Sequence, residues 1–210
     1  MLYDKDIREP LFDYLEERFG KVRIIEEKRT GRSRADVVMV LPNLVVGIEI
    51  KSDADTYARL KRQVKDYDLF YDRNYVVVGS THAMHVSEHI PEYWGIISVE
   101  EMDEKIDFYM LREAKDNPKR EIFNKLSLLW RPELSHIQEL NEMAKYKEKS
   151  KLFVMEKIIE KVPEIKLHEQ ISEELFERDY NTIADTIAQF RQENGRGVRK
   201  KKTRRRRRRK

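Results

Sequence analysis

The chain of 210 residues contains no cysteine. It can therefore form neither a disulfide framework nor a thiolate metal site, a composition compatible with the cytoplasmic location that we expect. Long apolar runs are also absent, since the longest are of strand length and too short to cross a bilayer. The first residues lack the basic start and apolar stretch of a signal peptide, so we expect neither secretion nor a membrane partner.

Acidic residues are missing from the last part of the chain. Residues 196–210 contain twelve Lys or Arg and no acid, whereas residues 1–195 hold 31 basic and 39 acidic side chains, a net charge of −8. The basic segment is too repulsive and too poor in apolar residues to fold alone. We predict a disordered Arg/Lys-rich tail in which Arg204, Arg205 and Arg206 contact nucleic-acid phosphates. Docking of this tail on an acidic protein is the alternative.

The most informative segment is a predicted β-hairpin. Two β-branched runs, Ala35 to Leu41 and Leu44 to Ile50, are joined by the turn dipeptide Pro42-Asn43. A tight turn at this point pairs residues whose numbers sum to 85. Asp36 then lies directly opposite Glu49 on the neighbouring strand.

A lysine joins these two acids on the same side of the sheet. Because side chains alternate between faces along a strand, Lys51 shares the face of Asp36 and Glu49. The two carboxylates repel each other across the ladder, so a cation is expected between them. Mg²⁺ takes carboxylate oxygens and keeps several waters, which leaves room for a substrate phosphate and an attacking water. The arrangement predicts metal-assisted phosphodiester hydrolysis, with an ordinary salt bridge at a strand end as the alternative.

This set of residues resembles the motifs of a nuclease superfamily. Asp36, followed by Glu49-Ile50-Lys51 and by Gln63-x-x-x-Tyr67 on the next predicted helix, is similar to the PD-(D/E)XK nucleases and to their RecB-like branch. Residues 4–100 also resemble a group of largely uncharacterised bacterial and phage proteins of that superfamily. Ala35 stands where the superfamily's name-giving proline would be. The resemblance implies a restriction-endonuclease-like α/β fold, with an αβββαβ core and a mixed central sheet.

The resemblance also implies roles for individual residues. Asp36 and Glu49, together with the backbone carbonyl of Ile50, would hold Mg²⁺ or Mn²⁺. Lys51 would orient the attacking water and offset charge in the transition state, and Gln63 would position its neighbours. These residues form the predicted catalytic group.

Further contacts are predicted around this group. Asp6, in preference to Glu9, is expected to supply another metal-site acid from the first helix, although a favourable charge at a helix N-terminus explains it equally well. Arg32 and Arg34 lie in the turn before the Asp36 strand, where they could contact phosphates. Tyr67 lies one helical turn after the predicted catalytic glutamine and is included among the candidate nucleic-acid contacts.

The sequence divides into three predicted regions. A nuclease-like domain covers residues 1–115, a small all-helical unit covers residues 119–193, and the basic tail covers residues 196–210, with the first boundary at Pro118. The span from Leu134 to Ile159 weakly resembles a SAP-like DNA-binding helix-turn-helix. A helical cap packed on the nuclease core is the alternative.

Three histidines provide a minor alternative metal site. His82, His85 and His89 would share one face of a short helix and could bind zinc, although surface histidines with no ligand are common.

The sequence as a whole predicts a Mg²⁺- or Mn²⁺-dependent deoxyribonuclease. RNA is an alternative substrate, and DNA repair, recombination and phage-related processes are the candidate pathways. A non-catalytic nucleic-acid-binding protein on a nuclease-derived fold is the alternative function. The oligomeric state is left open, with a homodimer as one option.

Overall fold

The computed structural model of this protein describes residues 2–103 and 105–178. The predicted tail, with Arg204, Arg205 and Arg206, lies outside the described residues. Within those two ranges, no helix combines the length and the apolar character needed to cross a bilayer.

The described residues form one six-stranded sheet with helices on both faces. The strands are β1 (Arg23–Thr30), β2 (Ser33–Leu41), β3 (Leu44–Lys51), β4 (Arg73–Gly79), β5 (Gly95–Met102) and β6 (Lys105–Arg112). The helices are α1 (Asp4–Phe19), α2 (Leu60–Phe70), α3 (Ser80–Ala83), α4 (Ile122–Ser127), α5 (Arg131–Leu140), α6 (Lys151–Lys161) and α7 (Glu164–Phe176).

The strands lie side by side in chain order, from β1 to β6. The pairs β1–β2, β2–β3 and β5–β6 are antiparallel, whereas β3–β4 and β4–β5 are parallel. The parallel pairs require crossovers, which α2 and the α3 segment provide. The element order and the mixed sheet confirm the predicted αβββαβ core.

The register of the β2–β3 hairpin is also confirmed. Val37 pairs with Ile48 and Leu41 pairs with Leu44, so the residue numbers of each pair sum to 85 as predicted. A turn of only two residues leaves little freedom for slippage, and both strands bury their side chains on both faces.

One face of the sheet is covered by α1. Ile7, Leu11 and Leu15 are spaced four residues apart, so they form one stripe along the helix, and all three are fully buried. They belong to a hydrophobic cluster with sheet residues that include Met39 and Ile48. This stripe therefore packs α1 against the sheet.

The opposite face is covered by α2 and by helices α4 to α7. Leu60 of α2, Val76 of β4 and Ile158 of α6 belong to one continuous buried cluster. An ion pair reinforces the contact, because the fully buried Lys125 of α4 donates to Asp72 at 2.7 Å. The helical region thus shares its core with the sheet, which is the arrangement expected of a cap.

The histidine-bearing segment differs from the prediction. α3 ends at Ala83 and a separate 3-10 turn covers Val86–Glu88, so the three histidines do not share one helical face. The rings of His82 and His89 both pack against Tyr57. The zinc alternative therefore loses its geometric basis.

A glycine allows α2 to pack directly on the backbone of β3. A Cβ atom on Gly47 would lie 2.3 Å from the Tyr71 ring, 2.7 Å from the Tyr67 ring and 2.8 Å from Oδ1 of Asn74. Real Cβ atoms essentially never approach other atoms this closely, so any larger residue would push the helix away from the sheet.

Candidate active site

Glu49 is the centre of the candidate site and is buried near the end of β3, with only 1% of its surface exposed. Three side chains donate to its carboxylate. Lys51 Nζ lies 2.5 Å from Oε1, Tyr67 Oη lies 2.6 Å from Oε2, and Gln63 Nε2 also donates to Oε1. A buried carboxylate is tolerated only when it is paired and hydrogen-bonded, and Glu49 is both.

The amide of Gln63 links Glu49 to Lys51. Its nitrogen donates to Glu49, and its oxygen accepts from Lys51 Nζ at 3.2 Å. Because the amide uses its donor and its acceptor on two different partners, its orientation is defined. Gln63 lies one helical turn before Tyr67 on α2, so both side chains reach the same carboxylate.

Asp36 lies beside this group at the start of the β2–β3 ladder. Its Oδ2 accepts from the backbone N–H of Ile50 at 2.9 Å, and its own N–H donates to Tyr67 Oη at 3.2 Å. Burial and then the charge of Glu49 raise the pKa of Asp36 from 3.8 to about 7. The ionised form is therefore costly, and a further cation at this position would relieve the cost.

Tyr67 has a different position from the one expected of a nucleic-acid contact. Its side chain is fully buried, so it presents no surface to a substrate. Burial and then the neighbouring charge of Glu49 raise the pKa of Tyr67 well above its ordinary value, which keeps the phenol protonated. The corrected role for Tyr67 is that of a neutral donor that holds Glu49 in place.

Arg8 is a member of the site that the sequence analysis missed. Its guanidinium donates to the backbone carbonyl of Asp36 at 3.2 Å and lies 3.7 Å from Oδ1 of the same residue. Asp4, one helical turn earlier on α1, accepts from Arg8 Nε at 2.7 Å. The Asp4–Arg8 spacing was the available signal, because oppositely charged residues at i and i+4 face each other on a helix.

The predicted further acid, Asp6, does not join Asp36 and Glu49. Its carboxylate accepts from the backbone N–H of Tyr3 at 3.2 Å and so caps the start of α1. Among the described residues there is no group of three or more metal-binding side chains. An N–H left unpaired at a helix start competes for a nearby carboxylate, so Asp6 has a capping role here, and its role at a metal stays a prediction.

The two carboxylates that do lie together fit a hard divalent ion. Asp36 and Glu49 offer oxygen ligands, and Mg²⁺ commonly uses one or two carboxylates and keeps its remaining ligands as water. Burial, and then the charge of Glu49, raise the pKa of Asp36, so a cation beside this carboxylate would offset the cost of ionising it. The predicted contribution from the Ile50 carbonyl stays a prediction.

The band of cations is a set of exposed basic side chains on β1, on the β1–β2 turn and on the helical segment that carries Gln63 and Tyr67. Arg32 lies in the β1–β2 turn, which is fastened to α2 because Ser33 Oγ donates to Asp66 at 2.5 Å. Arg34, the other predicted contact, pairs instead with Glu27 at 2.5 Å. The remaining members of the band are exposed and have no ion pair within the described part of the chain: Arg29, Arg59, Lys61, Arg62 and Lys65. This surface was not predicted, although four of its cations are clustered in the sequence around Leu60.

Comparison with known proteins places the chain in a phage family. A family model described as bacteriophage P4 protein cII matches residues 2–201, so the chain belongs to this family. No curated protein matches at a significant level. Among solved structures, a chain from Pyrococcus furiosus SfsA in complex with Ca²⁺ is similar, with 15% identity and a TM-score of 0.35. That match covers 53% of the present chain and 63% of the SfsA chain, which is just under two thirds of its length.

Proposed function

We propose that this protein is a metal-dependent nuclease of the PD-(D/E)XK type that hydrolyses phosphodiester bonds in DNA, with RNA as the alternative substrate. The observation that carries the proposal is the meeting of Asp36, Glu49, Lys51, Gln63 and Tyr67 at one end of the β2–β3 hairpin. These residues come from two strands and a helix, and each is tied to Glu49 or to the neighbouring backbone.

Mg²⁺ or Mn²⁺ held by Asp36 and Glu49 would polarise the phosphate and lower the pKa of a bound water. Lys51 contributes a cation with one N–H left for a phosphate oxygen or a water, because two of its three donors are used on Glu49 and Gln63. Gln63 and Tyr67 keep the Glu49 carboxylate from turning. Such prior orientation of charged groups is a large part of enzymatic rate enhancement.

The band of cations suggests how the substrate backbone is held. Arg32 and the exposed cations of α2 lie on segments that also build the site, since Ser33 donates to Asp66 and the next residue, Tyr67, donates to Glu49. Phosphate contacts position a nucleic acid without reading its sequence. The proposal therefore includes binding that is independent of sequence and weakened by salt.

Cleavage assays with matched variants test the catalytic proposal. Supercoiled, linear, single-stranded and forked DNA are incubated with the full chain in Mg²⁺, Mn²⁺ or EDTA. Glu49→Gln and Lys51→Ala should each lower cleavage by roughly two or more orders of magnitude. The controls Glu160→Gln and Lys157→Ala remove an exposed ion pair on α6 and should cleave as wild type does. Wild-type rates in the Glu49 and Lys51 variants would contradict the proposal.

One observation favours the alternative of a non-catalytic nucleic-acid-binding protein. Glu49 is already neutralised by Lys51 at 2.5 Å and needs no metal to be stable in the interior. This alternative predicts no cleavage of any substrate in Mg²⁺ or Mn²⁺, together with DNA binding that is the same in EDTA. Metal-dependent cleavage that is lost in Glu49→Gln excludes it.

A further inference from the structure

The two edges of the sheet differ in how well they are protected from pairing. β1 carries five charged side chains among eight residues, and its pairing with β2 skips Glu27, which has a positive φ of 54°. Lys28 also donates to the carbonyl of Leu128 at 3.2 Å, so the helical region lies along this strand. Charges and a covering segment are among the usual means of protecting an edge.

The β6 edge is less protected within the described residues, with three charged side chains among its eight residues. β6 pairs with β5 in regular register from Lys105 to Met110, and the register shifts at Leu111, between the pairs Ile97–Met110 and Ile96–Arg112. Two of its apolar side chains are strongly exposed, Tyr109 at 46% and Leu111 at 55%. A regular edge segment with exposed apolar side chains is prone to accept another strand.

The inner face of β6 is only partly covered by α1. Tyr14 of α1 stacks on Phe108 with ring centroids 5.2 Å apart, and Ile106 and Met110 are partly buried on the same face. A groove with a volume of about 750 Å³ lies between α1 and this strand, with Pro10 on its helical side. Charged and apolar side chains both line this groove beside the open edge.

We propose that β6 pairs antiparallel with β6 of a second copy of this chain, so that the two sheets join across a two-fold axis. A two-fold axis perpendicular to the sheet joins the two strands edge to edge. It keeps the corresponding faces of the two strands on the same side of the joined sheet. With the axis at Phe108, Ile106 lies opposite Met110 of the second copy, and Phe108 lies opposite itself. On the outer face, Asp107 then lies opposite Tyr109, where a phenol can donate to a carboxylate.

The neighbouring registers are less favourable. An axis at Asp107 would place two carboxylates directly opposite each other, and like charges in that position destabilise a ladder. An axis at Tyr109 would place Ile106 opposite Arg112. The strand as a whole carries Lys105, Asp107 and Arg112, so its low net charge presents no barrier to self-association.

Charge substitutions on the exposed face test both the partner and the register. Tyr109→Asp places a carboxylate opposite Asp107 of the second copy and should raise the dimer dissociation constant at least roughly tenfold. The double variant Asp107→Lys with Tyr109→Asp restores opposite charges and should return the dissociation constant toward that of wild type. The control is Leu152→Asp, an exposed apolar residue on α6 that should leave association unchanged.

Sedimentation equilibrium of the full chain over a range of concentrations gives the dissociation constants, with circular dichroism to confirm folding of each variant. Disulfide formation by Phe108→Cys provides a second measurement. Because the chain has no other cysteine, any disulfide within the protein must join position 108 of two copies. A wild-type chain that stays monomeric would overturn the proposal, whatever else covers the edge. Equal effects of Tyr109→Asp and Leu152→Asp, or no rescue in the double variant, would also overturn it.

Discussion

Replacing Asp36 by asparagine should stabilise the protein in the absence of metal. The substitution keeps an oxygen that can accept from the Ile50 N–H, and it removes the charge that Glu49 repels. The pKa of Asp36 is raised from 3.8 to about 7, chiefly by burial and then by Glu49. Each unit of pKa is worth about 1.4 kcal/mol, so the ionised form costs the folded state at most roughly 4 kcal/mol.

The expected gain is smaller than this upper limit. Arg8 lies 3.7 Å from the Asp36 carboxylate, and the side chain is 20% exposed, so part of its charge is already compensated. We expect Asp36→Asn to raise the free energy of unfolding by about 1–2 kcal/mol.

The gain should depend on pH in a defined direction. A carboxyl group whose pKa is raised in the folded state binds its proton more tightly there than in the unfolded chain. Its contribution to stability is therefore lost progressively as the pH rises from about 4 to about 7. Asp36→Asn should match wild type near pH 4 and exceed it above pH 7.

Urea unfolding at several pH values, in EDTA and in Mg²⁺, measures the effect. Mg²⁺ should stabilise wild type more than Asp36→Asn, because a ligand that binds only the folded state adds to its stability. Asp13→Asn, at an exposed position of α1, is the matched control and should behave as wild type. Equal stabilisation of wild type and Asp36→Asn by Mg²⁺ would show that the ion binds elsewhere, and a loss of stability at pH 8 would refute the electrostatic reasoning.

Three other variants probe the surroundings of the site. Tyr67→Phe removes the 2.6 Å donor to Glu49, so it should destabilise the fold by about 1–3 kcal/mol and reduce cleavage, as measured by urea unfolding and turnover. Arg62→Ala with Lys65→Ala should weaken binding to all DNA sequences alike and lower the salt dependence measured by fluorescence anisotropy, while leaving the unfolding curve unchanged. Truncation after Gly195 should act on binding in the same way and preserve cleavage at saturating substrate; superimposable binding curves would show that the tail does not engage nucleic acid.

Local geometry made the hairpin and its acids predictable. A two-residue turn defines which residues face each other, and alternation along a strand then places Asp36, Glu49 and Lys51 on one side. The spacing of Gln63 and Tyr67 similarly placed both side chains on one face of a helix. These predictions needed no knowledge of how distant elements pack.

The contacts that the sequence did not reveal depend on packing between elements. The approach of Arg8 to Asp36 depends on how α1 crosses the sheet, and no local pattern specifies that crossing. Asp6 was expected at the site for its charge, but the free N–H groups at the start of α1 hold it. The band of cations arises because the β1–β2 turn is fastened to α2 through Ser33 and Asp66, two residues far apart in the chain.

Gly47 has a consequence for how the site could be lost or gained. The residue makes no contact with a substrate and belongs to none of the motifs, yet a single added methyl group would meet the rings of Tyr67 and Tyr71. Gly47→Ala would therefore shift α2 and draw both Gln63 and Tyr67 away from Glu49, although every proposed catalytic side chain would still be present. A relative of this protein that retained the full motif but lacked this glycine would need a different helix position to assemble the same site.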